Sequence, residues 1–115
     1  MPLVQKLGML IHPVDDLESA VAFYRDALEL PLKFRDGDRF CAFDVGGVTL
    51  ALAAGEEKLT PGPAVSLKLA DLDAALSRLL AAGARLLRGP EDGPHERRAV
   101  VADASGNALI LYSAK

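Results

Sequence analysis

The chain has 115 residues, half of them hydrophobic and a quarter charged, with a formal net charge of −3 and a pI near 5.3. Leu, Ile, Val and Phe make up about 30% of it, well above the roughly 20% below which chains stay disordered, and the length suits one domain spanning 1–115. Six aromatics and scattered Lys and Arg supply neither base-stacking platforms nor a basic stripe, so a nucleic-acid partner is not expected. The single cysteine, Cys41, rules out an internal disulfide. No run approaches the ~18 apolar residues of a membrane span, and Met1 to Lys6 lacks a signal-peptide pattern. A cytoplasmic protein with no membrane partner is the expectation.

In chain order, Val4 to His12 is a short apolar segment stopped by Pro13, which reads as a strand. Asp15 or Asp16 can cap the helix that follows, with Glu18 placed for a capping box with Asp15. Leu17, Val21, Tyr24 and Leu28 recur at helical spacing, and Pro31 marks the helix end. Strands are predicted at about 32–35, 39–45 and 48–54, with Asp36-Gly37-Asp38 and Gly46-Gly47 as hairpin turns. The polar stretch 55–63 reads as a connector. A strand (64–69), a helix (71–82), and strands at 84–88, 97–103 and 107–113 complete the chain. Leu72, Leu76, Leu79 and Leu80 form the second helix's apolar stripe, and Gly83 stands where a left-handed C-cap is expected.

The two halves echo each other. Asp16-Leu17-Glu18-Ser19-Ala20-Val21-Ala22 returns as Asp71-Leu72-Asp73-Ala74-Ala75-Leu76-Ser77, and Asp44-Val45-Gly46-Gly47-Val48-Thr49-Leu50 returns as Asp103-Ala104-Ser105-Gly106-Asn107-Ala108-Leu109. Two echoes in the same order point to one βαβββ unit used twice, at about 3–54 and 64–113, in an α+β fold.

The segment Asp16-Leu17-Glu18-Ser19-Ala20-Val21-Ala22-Phe23-Tyr24-Arg25-Asp26-Ala27-Leu28 closely resembles the first-helix signature of the vicinal oxygen chelate superfamily, the glyoxalase/bleomycin-resistance/dioxygenase family. Asp103-Ala104-Ser105-Gly106-Asn107 is similar to the turn before that family's last strand, and Leu72 to Gly83 to its second helix. The resemblance spans about 3–113. It implies two βαβββ modules forming a curved mixed sheet around a small-molecule cavity, usually in a homodimer. In the family's metalloenzymes, His, Glu or Gln side chains from the first and last strand of each module hold one divalent ion.

Transferred to this chain, those ligand positions are Met9, Ala51, Ala64 and Ile110. None offers a lone pair suited to a hard divalent ion, and Met sulfur favours soft metals. Their neighbours Gly8, Leu10, Leu50, Leu52, Val65, Leu109 and Leu111 offer none either. No metal and no other cofactor is therefore expected.

Strand alternation places Met9 and Ile11 on one face with Ala51, and gives Ser66, Lys68, Ile110 and Tyr112 to the matching face of the second half. With His95 and Arg98 from the Gly93–Arg98 stretch, these are the candidate ligand-binding residues. Lys68 needs an anionic partner or water inside a concavity, or else a path to the rim. His12 reads as a strand-end residue, Cys41 as a buried structural thiol, Phe23 and Tyr24 as core, and Asp15-Asp16 as a helix start. The leading expectation is a metal-free small-molecule-binding protein akin to the antibiotic-sequestering members of the family, taking up an antibiotic or other toxic metabolite. The alternatives are a divalent-metal-dependent lyase, epimerase or dioxygenase, in which His12, His95 and a carboxylate converge, and an interaction module whose cavity is packed shut.

Overall fold

The computed structural model describes residues 3–115. Its elements are β1 (Val4–Pro13), α1 (Leu17–Val21), β2 (Leu32–Asp36), β3 (Phe40–Val45), β4 (Val48–Ala53), β5 (Ala64–Leu69), α2 (Leu72–Ala81), β6 (Arg85–Asp92), β7 (Glu96–Ala102) and β8 (Ala108–Ala114). The order βαβββ appears twice, an α+β fold as the sequence predicts. Two compact units divide the chain, Met9–Pro63 and the residues up to Gly8 together with Ala64–Lys115.

In the Met9–Pro63 unit the strand order is β2-β3-β4-β1. The hairpins β2–β3 and β3–β4 are antiparallel, while β1 joins β4 in parallel, so the sheet is mixed. Its core packs Leu17 and Val21 of α1 onto Cys41, Phe43 and Leu52, all at most 2% exposed. Burying side chains of that size stabilises by roughly 1.5–3 kcal/mol each. Asp16 is the N-cap, accepting from the Glu18 amide at 3.2 Å. The expected capping box with Asp15 does not form, because Glu18 reaches Arg35 (2.7 Å) and Asp15 pairs with Lys58 (2.9 Å).

The first helix departs from its predicted period. After Val21 it continues as a π-helical segment, Ala22–Ala27, in which the Leu28 amide donates to the Phe23 carbonyl five residues back. The wider turn carries Leu28 off the buried stripe, leaving it 51% exposed, and Phe23, which lies off that stripe even at α-helical spacing, is 56% exposed rather than in the core. Tyr24 alone of that stretch packs against the cluster. Glu29, at φ 57°, closes the segment in the left-handed region before Pro31 is reached.

In the other unit the order is β5-β8-β7-β6, with β5 parallel to β8 and the remaining pairs antiparallel. Leu72, Ala75 and Leu76 of α2 pack on Leu69, Ala99, Val101 and Leu111. Ala75 takes the place expected of Leu80, which is 39% exposed. Asp71 caps α2 through the Ala74 amide (3.2 Å). At the far end the Ala84 amide donates to Leu79 and the Gly83 amide to Leu80, a Schellman closure that needs the left-handed φ of 106° at Gly83. The Asp103 carboxylate accepts from the amides of Ser105 and Asn107, both at 2.9 Å, and fixes the turn into β8.

Candidate functional site

In each unit the strands have one face under the helix and one face turned away. Because Leu69, Ala99, Val101 and Leu111 pack against α2, their strand neighbours Lys68, Arg98, Val100, Ile110 and Tyr112, and with them Ser66, lie on the opposite face. Ladder register brings Lys68 opposite Tyr112, Tyr112 opposite Arg98, and Arg98 opposite Glu91. A second row runs Ser66–Ile110–Val100–Arg88. Five of the nine candidate residues (Ser66, Lys68, Arg98, Ile110, Tyr112) thus share one face of one unit.

This face is polar at one end and tightly packed elsewhere. Ser66 and Ile110 are each 4% exposed, while Lys68 and Tyr112 are half-buried. Arg98, 8% exposed, donates to Glu96 at 3.3 Å, so its charge is compensated within the fold. Burial raises the Tyr112 phenol above its ordinary value, and the Glu96 carboxylate adds to the rise by disfavouring a second negative charge. The Tyr112 hydroxyl stands over Gly8, where a Cβ would collide with it.

On the other unit, Cys41, Phe43 and Leu52 face α1, which leaves Thr49, Ala51 and Ala53 of β4 and Ala42 of β3 on the opposite side. One row here runs Ile11–Ala51–Ala42–Phe34 across all four strands. The two alanines make a floor of small side chains between two larger ones. Ile11 opposite Ala51 reproduces, at offsets of 55 and 59 residues, Ser66 opposite Ile110. The repeat seen in the sequence is therefore a repeat of ladder register. Met9 precedes Ile11 by two residues on β1 and is half-buried.

His95 stands apart in the exposed connection between β6 and β7, and among the described residues no hydrogen bond, ion pair or ring contact joins it to the rows. His12 lies opposite Leu52, on the helix side, where its Nδ1 is 3.3 Å from the Tyr24 hydroxyl. Strand parity explains this: one step from Ile11 turns the side chain to the other face. Three residues near the apolar row were not among the sequence candidates. Phe34 and Phe40 stack with centroids 5.9 Å apart, and Lys33 donates to the buried Thr49 hydroxyl at 2.9 Å. The signal for the Phe pair was present, since the Asp36-Gly37-Asp38 turn folds β2 onto β3 and sets them on one face. Lys33 was hidden by the register shift between Leu32 and Phe34.

The family model for the Glyoxalase/Bleomycin resistance protein/Dioxygenase superfamily matches residues 6–111. The chain belongs to this superfamily. An uncharacterized protein of Mycolicibacterium smegmatis is 45% identical over 109 residues, covering 94% of this chain and 93% of that one. Among solved structures, methylmalonyl-CoA epimerase from Mycobacterium tuberculosis is similar with a TM-score of 0.72 at 23% identity, covering 100% of this chain and 91% of that one. NAD-dependent benzaldehyde dehydrogenase from Legionella pneumophila gives 0.78 at 18% identity, covering 93% of this chain and 98% of that one. At these identities the likeness shows the fold alone, and two such different activities on one fold carry neither to this chain.

The superfamily makes a divalent metal the first group to test against the residues present. The positions that resemblance assigns to ligands hold Met9, Ala51, Ala64 and Ile110, and Ala51 and Ile110 sit on the faces turned away from the helices. Alkyl side chains cannot coordinate, and one thioether is a poor ligand for a hard cation. Among the described residues no group of three or more His, Cys, Asp or Glu side chains is placed to hold a metal ion. The donor set does not fit a metal of this kind. No helix among the described residues is long and apolar enough to cross a membrane.

Proposed function

We propose that this superfamily member binds a small organic molecule without a metal and acts by holding it, as a sequestering protein for an antibiotic or another toxic metabolite. The observation that carries this reading is the chemistry at Met9, Ala51, Ala64 and Ile110, where a metalloenzyme of this family needs hard donors and this chain has apolar side chains. The faces around them add support. An alanine floor beside a stacked Phe pair suits an apolar body, and a few polar groups on the other unit suit orientation, the usual make-up of a small-molecule site.

The reading includes a homodimer in the cytoplasm. In support, Leu32 and Phe34 on β2 and Leu86 and Leu87 on β6, the last strand of each unit's order, are 44–49% exposed. Exposed apolar edges are places where a second copy pairs.

Elemental analysis of protein purified without chelator, followed by titration with Mn, Fe, Ni and Zn, tests the proposal. No stoichiometric binding is expected, and one tight metal per chain overturns it. A melting-temperature screen of small apolar and aromatic compounds must yield binders, since a ligand selective for the native state raises the transition. Light scattering over a concentration series tests the dimer.

A further inference from the structure

We propose that the molecule bound by this protein carries an anionic group, a carboxylate or a phosphate monoester, which Lys68 receives with the Ser66 and Tyr112 hydroxyls beside it. This rests on the small-molecule reading above and specifies its ligand.

Lys68 is the penultimate residue of the 64–113 half's first strand, on the face away from α2, and is half-buried. An ammonium in that setting requires an opposite charge or water. Among the described residues its side chain makes no hydrogen bond or ion pair. The carboxylates of the same ladder row and strand end are already engaged: Glu96 accepts from Arg98, and Glu91 is bound by Arg88. Among the described residues Lys68 is the half-buried cation of this face that no carboxylate meets; Arg85, the other without one, is exposed at the start of β6.

Its neighbours share the same bias. Tyr112 is its direct ladder partner, and Ser66 is two residues away on the same side. Neither hydroxyl is hydrogen-bonded to a side chain or backbone group among the described residues. Burial and Glu96 hold the Tyr112 phenol in its protonated, donating form. Three donor groups, one of them charged, thus share one face of β5 and β8, and the carboxylate nearest to them, Glu96, is bound to Arg98. The overall charge of −3 suits a cationic ligand, but that charge is spread over the surface. Screening over about 8 Å makes the nearest group decide, and that group is Lys68.

The test uses the full chain and a panel of matched small compounds, in which each carboxylic acid stands beside its primary amide, its amine and the corresponding phosphate monoester. Ligand-observed NMR ranks them. Acids or phosphate esters are expected to bind about ten- to a hundredfold more tightly than the matched amides, the range for a hydrogen bond to a charged group, and amines least. Whichever anion binds more tightly identifies the source. Lys68→Met should abolish the preference while amide binding persists, and Lys68→Arg should retain most of it. Raising salt from about 0.05 to 0.5 M should weaken the anions and spare the amides in the unsubstituted protein, which keeps the test decisive even if Lys68→Met misfolds. Equal binding of acids and amides, or a preference that survives Lys68→Met, overturns the anion proposal and leaves small-molecule binding standing. A panel in which nothing binds overturns both.

Discussion

The Tyr112 hydroxyl occupies the space in which a side chain at Gly8 would stand. A residue near the start of β1 thereby sets the position of one on the last strand, and the candidate face depends on the smallest residue available. Gly8→Ala should force the ring aside at a cost of about 1–3 kcal/mol, as overpacking does. Tyr112→Phe in the same chain should recover part of that loss, because it removes the colliding oxygen. Thermal melts of the two single variants and the double variant check this. Equal stability of Gly8→Ala and the unsubstituted protein would rule the contact out as a constraint.

Acid stability should depend on Asp73. Arg97 donates to both of its oxygens, at 2.9 and 3.1 Å, tying α2 to β7. These hydrogen bonds, with the guanidinium charge behind them, hold the carboxyl below its ordinary value of 3.8. A depressed native value means that the stabilisation is complete above 3.8 and is lost as the pH falls through the native value. Melting temperatures between neutral and strongly acidic pH should therefore fall less steeply for Asp73→Asn than for the unsubstituted protein. High salt should shrink the difference, since the pair is exposed.

The π-helical segment makes a contrast between two leucines that share a helical period in the sequence. Leu17→Ala should cost about 2–4 kcal/mol, because Leu17 is 2% exposed in the core. Leu28→Lys should stay within about 0.5 kcal/mol, because Leu28 is 51% exposed. Chemical denaturation measures both. A large loss at Leu28 would contradict the π-helical placement.

Cys41 should be inert in the native state. It is fully buried, and desolvation raises its thiol above the ordinary value despite the opposing charges of Arg35 and Arg25. A thiol reagent at mildly alkaline pH should label it only after denaturant is added. Cys41→Ser should cost about 1–3 kcal/mol, the penalty of a buried hydroxyl without a partner, and more than Cys41→Ala. Fast labelling of folded protein would contradict this burial.

Much of the fold was legible in the chain because local chemistry repeats. Asp16 and Asp71 cap helices, Gly83 closes one, and the hairpin turns at 36–38 and 46–47 lie where Gly and Asp mark them. Strand alternation also assigned Ser66, Lys68, Ile110 and Tyr112 to one face, which the ladder register reproduces. What period alone could not show was the π-helical turn after Val21, since its five-residue hydrogen bonds leave no mark in apolar spacing. Nor could it show that Phe34 stacks on Phe40 or that Lys33 reaches Thr49 across a shifted register.

The composition, the repeat and the absence of hard donors at Met9, Ala51, Ala64 and Ile110 were decided by the sequence alone, because residue identity settles what a side chain can coordinate. Only the tertiary structure decided which charges are spent. Arg98 and Lys68 look alike as basic residues in strands, yet Arg98 meets Glu96, and Lys68 meets no carboxylate among the described residues. Pairing across strands is set by register between distant segments, and no local pattern in the chain encodes it.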